Sequence, residues 1–212
     1  MPLEASAHVF VDLSNLWYGA RAAAERIKEP VYAVRLMAEP LARVLAGGRP
    51  VGSAVIVAND DVPAVVTDHF ARIGTVIRRE SGKNTGGEQA NDETLQVRMY
   101  EALFAHKPAV MVLATGDANG WRQRTGFLPA LDAARRLGWA VEAVAWGETA
   151  NGELRSWVTR VGGAFVDLDP FYYSVTFLED ERRVQPVLLR ARPFARVEPH
   201  EAVDLPASLL RA

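Results

Sequence analysis

Four acidic residues stand at three places where a strand or a loop gives way to a helix or a turn, and they are the residues best placed to do chemistry. Asp12 closes the apolar run HVFVD and is followed by Leu13, Ser14 and Asn15. Asp117 follows a second apolar run in AVMVLATGDANG. Asp92 and Glu93 open the amphipathic stretch DETLQVRMYEALFA. Carboxylates gathered without cations repel one another. A hard divalent ion relieves that repulsion, and carboxylate oxygens are the ligands Mg²⁺ and Mn²⁺ prefer. Two such ions about 4 Å apart hold a phosphodiester and activate water for in-line attack. Metal-assisted phosphate chemistry is therefore what these residue types suggest, provided that the fold brings them together.

The elements that must do so alternate. Strands are expected at 8–12, 53–58, 75–80, 109–116, 140–146 and 164–168. Helices are expected at 15–28 with Ser14 as N-cap, at 31–46 ending on Gly47 and Gly48, at 62–73, at 92–105 capped by Asn91, within 124–138, and at 152–161. Residues 81–89 read as loop. Continuous apolar strands alternating with helices imply a parallel sheet covered on both faces. Right-handed crossovers make it an open, doubly wound α/β sandwich of five to six strands. Ligands of such sheets sit beyond the carboxyl ends of the strands, where strand order reverses. In the common 3-2-1-4-5 order, strands one and four are neighbours, and Asp12 faces Asp117. Asp92 joins them only if the segment 81–91 delivers the start of its helix to the same rim.

Composition narrows the field. The chain has 212 residues, 49% hydrophobic and 24% charged, which suits one globular domain. We read 1–180 as that domain and 181–212 as an extended arm or flank, because Pro186, Pro193, Pro199 and Pro206 oppose a helix there. YYSVTFLED and RRVQPVLLRARPF are candidates for a marginal hairpin. No cysteine is present, so thiolate catalysis and zinc–thiolate sites are excluded. The net charge of −2 provides no global pull on nucleic acid, so any such contact must be local. No basic start with an apolar stretch precedes the first strand, and no apolar run is long enough to cross a bilayer; the expectation is a cytoplasmic protein with no membrane partner. The glycine-rich dinucleotide fingerprint, the phosphate loop and the nucleophile elbow are all missing.

The quoted runs resemble the NYN domains, a branch of the PIN-like ribonuclease superfamily. HVFVDLSNLW is similar to their opening strand with an Asp and an Asn three residues on. VMVLATGDANG resembles their later strand and Ser/Thr-Gly-Asp turn. NDETLQVRMYEAL, FLPALDAARRLGWAVEAVAW and GELRSWVTRVGGAFVDLD follow in the family order, over roughly 8–170. The resemblance implies a PIN-like three-layer fold, a Mg²⁺ or Mn²⁺ site and hydrolysis of RNA. It points to Asp12, Asp92 and Asp117 as catalytic metal ligands, with Asn15 orienting Asp12 or a water. The family often has an Asp where this chain has Asn119, which ligates through its carbonyl without charge. Another acid of the family's helix is replaced here, with Gln96 and Met99 on that face; Glu93 or Glu88 would compensate.

Position suggests the substrate contacts. Arg78, Arg79 and Lys83 lie beyond strand three, and Arg122 and Arg124 lie beside Asp117; these are candidate phosphate contacts. Trp17, Tyr18 and Trp121 are candidates for stacking on unpaired bases. The main expectation is a metal-dependent ribonuclease. Its rival is a non-catalytic RNA- or protein-binding regulatory module with a degenerate site, and a phosphohydrolase of small nucleotides is a third class. Assembly as a homo-oligomer is compatible with either.

Overall fold

A computed structural model describes residues 5–79, 87–117, 126–179 and 193–194, the first five of the second stretch by backbone alone. Six strands among them form one parallel sheet: β1 (Ala7–Asp12), β3 (Val51–Asn59), β4 (Thr75–Arg79), β5 (Val110–Ala114), β6 (Ala140–Ala145) and β7 (Ala164–Asp167), in the order β4-β3-β1-β5-β6-β7. The apolar run of β1 is buried at all six positions because it lies between two strands and under helices on both faces. Asp12 pairs in register with Val57 of β3. β1 and β5 are neighbours, which is the 3-2-1-4-5 order considered from the sequence.

Alternation along β1 divides the core. Val9 and Val11 face a cluster with α1 (Leu13–Arg26), α2 (Ala38–Ala46), α3 (Ala64–Phe70) and the short α7 (Tyr172–Val175). Phe10 faces the other cluster, with α4 (Gly87–Ala105), α5 (Phe127–Arg136) and α6 (Gly152–Arg160). α4 makes the long return from the β4 edge across β3 and β1 to β5. Near its first turns, Thr94 Oγ1 accepts from the Arg79 guanidinium at the end of β4. Beyond its last turn, the His106 ring lies 4.4 Å from that of His8 near the start of β1. The start of α4 is thereby fixed at the carboxyl rim of the sheet. No helix of the described residues is long and apolar enough to span a membrane.

Several local expectations are corrected. The helix expected from 31 to 46 begins only at Ala38; Val34–Leu36 is instead β2, paired antiparallel with β8 (Thr176–Leu178). TFL thus pairs with a distant strand, β2, whose Val34 and Leu36 are buried while Arg35 lies on the other face. α2 does end on Gly47, whose φ of 62° suits the residue after a helix. Asn91 lies inside α4, which begins at Gly87, and so is not at the N-cap position. Asp12, not Ser14, caps α1. Pro63 sits just before the first turn of α3 rather than within it. Of the arm, Pro193 and Phe194 are described; the Phe194 ring lies 5.6 Å from the Arg49 guanidinium carbon. The boundary drawn at 181 falls outside the described residues.

Two ionisable side chains are built into the sheet away from the carboxyl rim. Glu142 is fully buried on β6 and takes a two-pronged ion pair from Arg49, with Nη1 to Oε1 at 2.8 Å and Nη2 to Oε2 at 2.7 Å. Arg49 Nε also donates to the Ala46 carbonyl at 2.7 Å. Removing one partner strands the other's charge, so Glu142→Ala should lower unfolding free energy by about 3–5 kcal/mol. The paired replacement Arg49→Met with Glu142→Leu should cost much less; urea unfolding midpoints test both.

His8 is buried, with Nδ1 2.9 Å from the Ser53 hydroxyl and its ring 5.1 Å from that of Trp139. Burial, and secondarily the neighbouring His106, push its pKa below the ordinary 6.5. The unfolded chain then binds more protons between the lowered value and 6.5. The stability involved is complete above the unfolded value and is lost as pH falls through the folded one. Thermal midpoints should therefore drop from about pH 7.5 to about pH 5, and His8→Gln should flatten that part of the profile.

Candidate active site at the carboxyl ends of the strands

The end of β1 is locked before any ligand is considered. Asp12 Oδ1 accepts the Asn15 backbone N–H at 3.0 Å, capping a helix that otherwise leaves its first amides unpaired. Asp12 Oδ2 accepts the Thr115 hydroxyl at 3.3 Å, and Thr115 Oγ1 accepts the Asp117 N–H at 3.2 Å. Asn15 completes the link across the switch point: its Oδ1 accepts the Gly116 N–H at 2.7 Å. Gly116 also accepts the Asn151 N–H at 2.7 Å through its carbonyl, and an added Cβ there would crowd Thr149 and Asn15 at 3.1–3.2 Å. On the other side of β1, the Ser14 hydroxyl accepts the Asn59 N–H at 2.9 Å.

These links shape an open cleft of about 120 Å³, lined by Asp12, Ser14, Asn15, Tyr18, Asn59, Asp92 and Asp117. Three carboxylates drawn from β1, α4 and the end of β5 thus border one space. Asp12 is 8% exposed, so its carboxylate works from within the protein wall. Among the described residues, the lining holds oxygen and amide donors and acceptors and no Lys, Arg or His. Among the described residues, no group of three or more His, Asp or Glu side chains is arranged to hold an ion. The carboxylates share a cleft without closing into a cage. Mg²⁺ keeps several waters and uses one or two carboxylates, with substrate phosphate completing its shell. The donor chemistry fits a hydrated hard cation of that kind.

The remaining residues singled out in the sequence lie as follows. Arg78 donates to Thr67 Oγ1 at 2.7 Å and stands 3.9 Å from Asp60; Arg79 is bonded to Thr94. Neither borders the cleft. Trp17 is 4% exposed and packs in the core, with the Arg35 guanidinium 5.6 Å from its ring, which corrects its reading as a stacking surface. Tyr18 does border the cleft. Met99 is a core residue, and Glu93 is exposed but not part of the lining. Lys83, Asn119, Trp121, Arg122 and Arg124 lie outside the described residues, as does the side chain of Glu88. Residues missed in the sequence are Thr115, Ser14, Asn59 and Asp61. The triplet Asn59-Asp60-Asp61, at the carboxyl end of β3 and just beyond it, was the available signal.

Comparison with known families decides the kinship: the model of the NYN domain matches residues 6–161, from just before β1 to the end of α6. The chain belongs to the NYN domain family. NYN domains are PIN-like nucleases, and the doubly wound three-layer sandwich is that of the family. Neither a curated protein nor a solved structure matches the chain. The NYN match covers every lining residue of the cleft.

Asn15→Ala should leave the Gly116 amide without its acceptor. A loss of about 1–3 kcal/mol is expected, read from thermal unfolding of the full chain. Asn15→Asp, which keeps an acceptor, should recover part of it.

Proposed function

We propose that this NYN domain is a divalent-metal-dependent ribonuclease that hydrolyses RNA phosphodiester bonds in the cleft beyond β1 and β5. The observation that carries the reading is that Asp12, Asp92 and Asp117 border one space, although they are separated along the chain. Membership of a nuclease family supports the same reaction class. Asp12 would be the central ligand: two hydrogen bonds fix its carboxylate and keep its orientation when an ion arrives. Asp92 and Asp117 would supply the other carboxylates. The Lewis acidity of Mg²⁺ or Mn²⁺ toward a phosphodiester is the chemistry such an ion supplies when bound. Asn15 has its carbonyl oxygen committed to Gly116, which leaves its NH₂ as a donor for a phosphate oxygen or a water.

One observation favours a second reading, a binding module of the same fold that does not cut. No ion-sized group of acids occurs among the described residues. Turnover separates the two. Purified full chain with single-stranded RNA and Mn²⁺ should give shorter products on a denaturing gel, and chelation should stop it. Asp12→Asn should reduce cleavage to background while retaining the fold, because Asn also caps helices well. Equal cleavage by parent and variant would sink the assignment of the site. RNA binding that is indifferent to chelator, with no turnover, would favour the binding module.

A further inference from the structure

Helix α1 brings more than Asn15 to the cleft. Tyr18 is one turn further on, and residues three apart share a helix face. Its side chain borders the same space as the three carboxylates. The ring is 45% exposed, whereas Leu16 and Trp17 turn into the core. Its hydroxyl donates to Asp61 Oδ2 at 3.1 Å. The same Asp61 oxygen accepts Asn59 Nδ2 at 3.3 Å, and the Asp61 N–H returns to Asn59 Oδ1 at 3.2 Å. The phenol is therefore moored to the loop after β3, which limits its rotamers while leaving ring surface open to solvent. Arg21 stands another turn along. Among the described residues it forms no ion pair, unlike Arg26, which Glu148 and Asp169 engage at 2.8 and 3.1 Å. From Asn15 to Arg21 the helix rises about 9 Å. Acid, amide, moored ring and cation thus succeed one another along one helix that begins at the cleft.

We propose that Tyr18 is the platform on which an unpaired nucleobase of the RNA stacks beside the carboxylates, and that Arg21 takes a backbone phosphate further along α1. The inference rests on RNA entering the cleft, as the proposed function holds. A moored ring loses little freedom when a base stacks on it, and stacking tolerates any base because each has a π face. Bases in a duplex are not available to such a ring. The cleft should therefore take single strands in preference to duplexes, with little sequence discrimination at the stacked position.

The test uses the full chain as the Asp12→Asn variant, to prevent turnover, and a single-stranded RNA carrying 2-aminopurine. Binding should quench the fluorophore, and a duplex of the same sequence should compete poorly. Adding Tyr18→Ala should remove most of the quench and weaken binding about tenfold. Tyr18→Phe, which keeps the ring and loses the Asp61 bond, should retain the quench. Arg21→Gln should leave the quench in place and reduce the salt slope of binding by roughly 0.7. The same quench and affinity with Tyr18→Ala overturns the proposal, as does the lack of any quench before that change. Failure of the parent chain to cut RNA, with a Tyr18-dependent quench intact, removes the nuclease reading and leaves the platform standing. Cleavage by the parent with a quench that ignores Tyr18 does the reverse.

Discussion

A hydrogen-bonded lock across the switch point between β1 and β5 is the constraint on which the site depends. Asp12 is tied to Thr115, Thr115 to the Asp117 amide, and Asn15 to the Gly116 amide. Each bond satisfies a group that the parting of two strands would otherwise leave without a partner. The lock makes the gap between the strand ends a defined space with fixed walls. It also holds an almost buried carboxylate at the base of that space, with both oxygens already engaged. A side chain so restrained would lose little entropy on meeting a ligand.

The second determinant is the path of α4. A helix that must carry the chain from β4 at one edge to β5 beyond β1 crosses the sheet from the carboxyl rim to the opposite end. Its first turns therefore rest beside the strand ends, and its end meets β1 near His8. Asp92 reaches the cleft because of this topology. The same crossing ties the edge strand to the layer above it through Arg79 and Thr94.

The division of labour along α1 follows from helix periodicity. Leu16, Trp17 and Ala20 face the sheet, while Asn15 and Tyr18 face the cleft. An aromatic pair at adjacent positions thus has opposite fates, one ring in the core and the other at the rim. Identity alone did not tell which of Trp17 and Tyr18 lies at the cleft; the direction of each on the helix did. Similarly, Arg78 and Arg79 carry the charge expected of phosphate contacts, but α3 with the loop before it and the first turns of α4 already engage them.

Much of this molecule was written locally. The apolar runs, the residues that end them and the order of helices specify a doubly wound sheet, because burial on both faces demands continuous apolar strands and right-handed crossovers leave few ways to connect them. Asp12 and Asp117 follow directly, since one ends a strand of that pattern and the other lies just beyond one. What local signals could not carry was pairing between distant segments. Val34–Leu36 reads as helix until Thr176–Leu178 is available to pair with it, and Ser14 reads as a cap until Asn59 offers an amide to its hydroxyl. The rim on which Asp92 arrives belongs to the same category. Such contacts depend on which elements come to lie side by side in space, and that is decided only when the sheet closes its order and the helices take their faces.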